Sequence, residues 1–165
     1  MLRTLNLEGD RQADQRVHGG PERAVLIYPA DHYPAWESEL GRPLEWGSFG
    51  ETFTVEGLDE WSACIGDVLE VGEAVIQVSE VRGPCYKVAY RTGVPDMLQR
   101  IEAGGRSGFY ARVLREGRVE AGGEVRLADR PNPDMSVDRA RHAYRRRAPE
   151  LAEVIGLSEN WRRRL

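Results

Sequence analysis

The sequence predicts an α+β domain rich in short β-strands. Three observations carry that expectation. Apolar or alternating stretches of strand length recur at residues 24–28, 68–71, 74–81, 109–114 and 124–127. Turn residues, most of them glycines, separate these stretches, and two helical patterns, over 31–40 and 95–103, interrupt them. Many short strands with two intervening helices make a β-rich domain for which a barrel is the natural closure. At 165 residues, 41% hydrophobic and 30% charged, the chain suits one soluble domain with a small appendage.

Leu2, Leu5 and Leu7 suggest one short strand, closed by Glu8-Gly9-Asp10. Residues 14–20 read as a loop, because the paired Gly19-Gly20 permits backbone conformations that other residues resist. His18 in that loop has two readings, a polar tie to the backbone or the lining of a ligand site. A strand over 24–28 leads to a helix over 31–40, with Asp31 to cap it, Tyr33, Trp36 and Leu40 on one face, and Gly41 at its end. His32 reads as a solvated or capping residue. Trp46-Gly47 and Phe49-Gly50 then mark a turn that presents Glu51. A carboxylate there can hold an arginine, orient a ligand, exchange protons or simply sit in solvent.

The strands 68–71 and 74–81 are joined by Gly72-Glu73, with glycine first as a type II′ hairpin turn prefers. This hairpin delivers the chain to Val81-Arg82-Gly83-Pro84-Cys85-Tyr86-Lys87, where Gly83-Pro84 breaks the strand and an extended segment is expected to resume. In an extended segment Cys85 and Lys87 share one side. Lys87 is the one lysine among 23 basic residues. A cation beside a cysteine favours the thiolate, which attacks electrophiles and binds soft metals. The other reading of Cys85 is a small buried hydrophobe. Cys64, between Ala63 and Ile65, has no basic neighbour and reads as core packing.

The helix over 95–103 starts on Pro95, carries Met97, Leu98 and Ile101 as its stripe, and stops at Gly104. The next stretch, Gly104-Gly105-Arg106-Ser107-Gly108, is either a phosphate cradle of backbone N–H groups or a flexible link. Residues 109–114 alternate, Glu116-Gly117 turns the chain, Val119 is expected to begin a partner strand, and 124–127 supplies another. After Arg130-Pro131-Asn132-Pro133 the pattern becomes helical. Ser136 caps 137–146, residues 149–155 give a second short helix, and Ser158 caps a third containing Trp161 and Leu165. The division read is therefore a β-rich domain over 1–130 and a helical extension over 134–165. The extension holds eight arginines against five carboxylates. Docking of its solvated faces on the acidic remainder is expected, with Arg145-Arg146-Arg147 and Arg162-Arg163-Arg164 as alternative contacts for an acidic partner.

Composition excludes several classes. A net charge of −4 argues against general nucleic-acid binding, which needs a basic face to displace counterions. Two cysteines make neither a ligand cluster nor a disulfide framework, so a reduced, cytoplasmic setting is expected. Residues 1–14 lack an apolar core of signal-peptide length, and no run is long enough to span a bilayer, so no membrane association is expected.

The order of these features resembles one family. Arg82-x-Pro84-Cys85-x-Lys87 after a hairpin, preceded by His18-Gly19-Gly20 and Phe49-Gly50-Glu51 and followed by the run from Gly104 to Val113, resembles the MOSC family, named for the C-terminal domain of molybdenum cofactor sulfurases. The motifs run in the family's order from Leu5 to Arg130, and the small bacterial branch that reduces N-hydroxylated bases is the most similar. Relatives usually carry Asn where this chain has Thr52.

The resemblance implies a MOSC-type β-barrel with short helices and a molybdenum cofactor (molybdopterin) whose metal is ligated by Cys85, with no pyridoxal phosphate required. It implies anion-binding and cofactor-binding roles for Arg82, Lys87, Arg106 and Arg112, and catalytic pocket-lining roles for His18 and Glu51 beside Cys85. The implied reaction is two-electron reduction of a small N-hydroxylated substrate such as a hydroxylaminopurine-like base, with a flavoprotein or ferredoxin as electron donor and the helical extension helping to meet it. Two other functions fit the same residues, a sulfur carrier holding a persulfide on Cys85 and a non-catalytic binding module with Cys85 buried. In relatives further strands precede the segment that matches residues 5–10. A barrel short of those strands is expected either to pair its edges in a homodimer or to hold the cofactor weakly.

Overall fold

A computed structural model describes residues 1–9 and 19–165. In chain order the elements are β1 (Val25–Pro29), α1 (His32–Leu40), β2 (Phe53–Val55), β3 (Val68–Val71), β4 (Ala74–Val81), α2 (Lys87–Thr92), α3 (Met97–Gly104), β5 (Phe109–Arg115), β6 (Val125–Asp129), α4 (Val137–Arg145) and α5 (Glu159–Arg162), with 3₁₀ turns at Pro21–Arg23 and Pro149–Glu153. The six strands form one mixed sheet in the order β2-β1-β5-β4-β3-β6. Among the described residues only β1 and β2 run parallel; every other neighbouring pair is antiparallel. The sheet curls into a half-barrel with β2 and β6 at its edges, so the β-rich α+β class holds.

Local chemistry explains the frame. Every residue of β1 is buried, as a continuous apolar run covered on both faces should be. At the β3–β4 turn Gly72 has φ +57°, and a Cβ there would lie 2.6 Å from the carbonyl oxygen of Arg118. Gly108 has φ +72°, and its Cβ would lie 2.6 Å from the carbonyl oxygen of Ile27. Glycine at 108 therefore lets β5 enter the sheet against β1.

Several expectations need correction. The first residues do not form one strand: Leu2 bridges both Leu7 and Gly117, so the segment folds back on itself, with Leu2 buried and Leu5 exposed. Val119 starts no strand, and β6 pairs with β3 instead. Asp31 does not cap α1, because its carboxylate accepts from the Gly57 N–H at 2.9 Å. His32 is buried rather than solvated, its Nε2 lying 2.6 Å from Oε2 of the equally buried Glu60. The chain does not resume as an extended segment after Pro84: Tyr86 is a turn residue and Lys87 begins α2. The Val88 N–H donates to the Cys85 carbonyl at 2.9 Å, Val88 and Thr92 form the buried face one turn apart, and Gly93 ends the helix at φ 67°.

The C-terminal helices begin at the serines the sequence marks. Ser136 Oγ accepts from the Arg139 N–H and Ser158 Oγ from the Trp161 N–H, both at 3.2 Å. Their docking differs from the electrostatic expectation. Val137, Ala140, Ala143, Leu151, Leu157 and Trp161 join the same core as Ile27, Leu69, Ile76 and Phe109. Among the described residues, no arginine of 134–165 pairs with a carboxylate from earlier in the chain. Burial of a large apolar side chain contributes about 1.5–3 kcal/mol, whereas an exposed ion pair contributes at most about 1 kcal/mol, so packing is the stronger attachment.

A second, aromatic core lies under α1 and α3. Tyr28 stacks on Phe49 with centroids 4.2 Å apart, and Trp36 donates its Nε1–H to the Tyr28 hydroxyl at 2.7 Å. No helix among the described residues is long and apolar enough to cross a membrane.

Candidate functional site

The strand β4 ends at Val81, and Gly83-Pro84 turns the chain before α2 begins. Cys85 lies on that turn, partly exposed. It opens on a cavity of about 750 Å³ whose lining includes Arg82, Ser107 and Tyr110 from the sheet and its loops. The C-terminal helices supply the facing wall, with Arg141, Tyr144 and Arg145 from α4 and Trp161 and Arg164 from the last segment.

Arg82 organises the sheet side. It is 7% exposed, and its guanidinium donates to the carbonyl of Phe49 at 2.7 Å and of Ser107 at 3.3 Å. One side chain thus ties together the turn at 49–51, the glycine-rich loop at 104–108 and the segment leading to Cys85. Beside it, Arg23 forms an ion pair with fully buried Glu80 and lies over the Tyr110 ring, 5.4 Å from its centroid. Burial pushes the Tyr110 hydroxyl upward from the ordinary tyrosine range, more than the positive charges of Arg82 and Arg23 draw it back. Tyr110 therefore keeps its proton at neutral pH.

The remaining residues assigned from the resemblance lie elsewhere or outside the described region. His18 falls outside the described residues. Glu51 does not line the cavity: its carboxylate accepts from the Tyr33 hydroxyl, the N–H groups of Gly47 and Phe49, and the Thr54 hydroxyl, which makes it the organiser of its own turn. Lys87 is exposed on α2 and also absent from the lining, because the turn at Tyr86 and the start of α2 at Lys87 remove the shared side that an extended segment would give. Arg106 stacks on Trp36, 3.6 Å from the ring centroid, and pairs with Glu39 at 2.6 Å. Arg112 spans Gln77, Glu22 and the Gly156 carbonyl, with its buried Nε lacking a partner among the described residues. Cys64 is 3% exposed, and burial, then the nearby Asp67 carboxylate, pushes its thiol upward. The reading of Cys64 as packing agrees with that environment.

The family profile for the MOSC domain matches residues 14–126. The chain belongs to the MOSC domain family. Among curated relatives, the uncharacterized protein YflK of Bacillus subtilis is 46% identical over 98% of this chain and 76% of its own length. Protein YiiM of Escherichia coli is 37% identical over 99% of this chain and 76% of its own. A Gibberella moniliformis protein named Reductase is 38% identical over 87% of this chain, though only 26% of its own length is matched. The crystal structure of Escherichia coli YiiM superposes with a TM-score of 0.86 at 33% identity, covering 99% of this chain and 81% of that one. YiiM from Geobacillus stearothermophilus gives 0.83 at 38% identity, over 87% and 77%.

In this MOSC chain the residues that the sequence left unassigned are the wall opposite Cys85. Arg145 and Arg164 were visible only as members of two arginine triplets, Tyr110 only as an unassigned member of the run from Gly104 to Val113, and Arg23 carried no motif at all. Tyr110 sits second in β5, a buried polar residue inside an apolar strand, which is the one signal that marks it.

Proposed function

We propose that this MOSC protein binds a molybdenum cofactor through the Cys85 thiolate and reduces N-hydroxylated compounds. The observation that carries the reading is the opening of Cys85 onto a cavity lined by five arginines. A soft thiolate suits a soft, dithiolene-bound metal, and guanidinium groups suit the phosphate of the pterin. Among the described residues no group of three or more His, Cys, Asp or Glu converges as a metal cage. A metal at Cys85 would draw its other ligands from the pterin that carries it. The residues present fit the group.

When bound, the cofactor supplies two-electron transfer to the N–O bond. The balance is R–NHOH plus two electrons and two protons giving R–NH₂ and water, with the electrons delivered by a flavoprotein or ferredoxin partner. The chain's own residues bind and position. Cys85 Sγ is the anchor, Arg82 holds the anchor loop to the turns at 49 and 107, and the Tyr110 hydroxyl retains a proton at the cavity wall. The relative named Reductase supports a redox reading.

The test is reduction of a hydroxylaminopurine by protein made in a cofactor-competent host, with a chemical reductant as donor. Turnover by the unaltered protein and none by Cys85→Ser is the expected result. Equal turnover by both would remove Cys85 from the mechanism, and an added sulfur on Cys85 without molybdenum would favour the carrier function.

A further inference from the structure

The chain leaves the Cys85 turn through a helix that shows aromatic rings to solvent. Tyr86 and Tyr90 are 62% and 81% exposed, and their rings meet edge to face with centroids 6.1 Å apart. They border a groove of about 610 Å³ whose lining continues through Pro95 to Leu98 and Gln99 of α3. Tyr86 also lines the Cys85 cavity, so one side chain borders both spaces. Packing does not account for these rings: α2 buries Val88 and Thr92, and neither tyrosine belongs to either hydrophobic core. A rigid aromatic side chain in solvent offers a large contact area at low entropic cost when a partner covers it.

Positive charge runs beside the same stripe. Lys87 and Arg91 repeat the four-residue spacing one position on, both are exposed, and neither pairs with a carboxylate among the described residues. Arg42, also exposed, reaches the Thr92 carbonyl and adds a third cation at the end of the helix. No carboxylate occurs in the sequence from Gly83 to Pro95, and Asp96 beyond it is paired with Arg100 at 3.0 Å. This face is therefore positive on a chain whose net charge is −4.

We propose that the exposed face of α2 is the docking surface for a small acidic electron-carrier protein. The inference rests on the reduction proposed above, in which R–NHOH, two reduced one-electron carriers and two protons give R–NH₂, water and two oxidised carriers. Such a carrier must arrive and leave twice per turnover, which calls for a small and quickly exchanging contact. The cations steer an acidic partner to the face, and the two tyrosines supply the contact area once it arrives. Electrons then enter beside Tyr86, at the wall of the Cys85 cavity.

The lone lysine makes the contact traceable. A carbodiimide joins amines to carboxylates without a spacer, and Lys87 carries the one side-chain amine in the sequence. With an acidic plant-type [2Fe–2S] ferredoxin as the probe, cross-linking should map to Lys87 and decline with rising salt. It should fall about tenfold in Tyr90→Ser and in Arg91→Glu, both of which keep the lysine, the usual scale for loss of an interface anchor. Both residues are exposed, so the melting temperature should be unchanged. Ferredoxin-driven reduction of a hydroxylaminopurine should fall by the same factor in the two variants, whereas reduction driven by methyl viologen, which needs no docking face, should not change. A cross-link that neither variant weakens, no cross-link to Lys87, or ferredoxin-driven turnover equal in all forms would overturn the inference. So would a dimer of this chain that Tyr90→Ser dissolves, since the groove would then belong to a second copy. Absence of viologen-driven turnover from every form would instead remove the proposed reduction, and the cross-link would still decide the docking face.

Discussion

Arg82 donates a 2.7 Å hydrogen bond to the backbone carbonyl of Phe49, and with it the loop that carries Cys85 is fastened to a turn 33 residues earlier. The same guanidinium reaches the Ser107 carbonyl. Replacing it with Arg82→Met removes both donors from a nearly closed site and leaves the two carbonyls without that partner. A loss of about 2 kcal/mol in urea unfolding is expected, the scale for an unsatisfied buried polar group. Arg82→Lys should recover only part of it, because a point ammonium cannot span two carbonyls as the fork does. An unchanged midpoint for Arg82→Met would show that the contact fastens nothing.

Glu60 supports the sheet from beneath the site. It is 1% exposed and accepts from the Gly108 N–H at 2.5 Å while facing His32 at 2.6 Å. Glu60→Ala leaves both partners unmet in the interior, and a destabilisation of about 3 kcal/mol is expected, as when one member of a buried pair is removed. Glu60→Gln keeps an acceptor for Gly108 and should cost less. Chemical denaturation of the two variants decides it; equal stability of Glu60→Ala and the unaltered chain would rule out a structural role.

The buried tyrosines set an alkaline limit. Burial is the main cause that pushes the hydroxyls of Tyr28, Tyr33 and Tyr110 upward, reinforced in Tyr33 by its hydrogen bond to Glu51. A folded-state pKa above the unfolded one means that native protein holds these protons more tightly. The associated stability is present in full below the unfolded value of about 10 and is lost as pH rises beyond it. Phenolate absorbance should therefore appear for these three only together with unfolding, seen by circular dichroism at the same pH. Ionisation of all six tyrosines with the fold intact would contradict the burial argument.

The fold was legible where a residue type dictates backbone geometry. Gly72-Glu73 marked the β3–β4 turn, Ser136 and Ser158 marked two helix starts, and Tyr33 and Trp36 marked the buried face of α1. The helix α2 was not, because six residues offer only Val88 and Thr92 as a pattern, and the chain was read as resuming its extended course after the break at Gly83-Pro84. For the site, Cys85 and Arg82 were legible through their motif. Its opposite wall was not, since a run of arginines carries no direction until the helix that bears it is docked, and that docking depends on Tyr144 meeting Trp161. The glycines at 104–108 read as a phosphate cradle or a link, whereas Gly108 serves the close approach of β5 to β1.

The two thiols should separate under a limiting alkylating agent. Cys64 is enclosed, donates toward the Pro133 carbonyl, and has its thiol pushed upward by burial, so its thiolate is scarce at neutral pH. Cys85 faces the cavity. Iodoacetamide at neutral pH should label Cys85 first, and Cys64 only on the timescale of unfolding, by peptide mapping. Labelling of both at one rate would contradict the environments described.

Molybdenum content measured by mass spectrometry of the metal, in protein from a cofactor-competent host, decides whether Cys85 anchors the cofactor. The unaltered chain and Cys64→Ser should retain molybdenum, and Cys85→Ser should retain little, because a hydroxyl is a poor replacement for a soft thiolate ligand. Equal molybdenum in Cys85→Ser and the unaltered chain would contradict the assignment of Cys85 as the anchor.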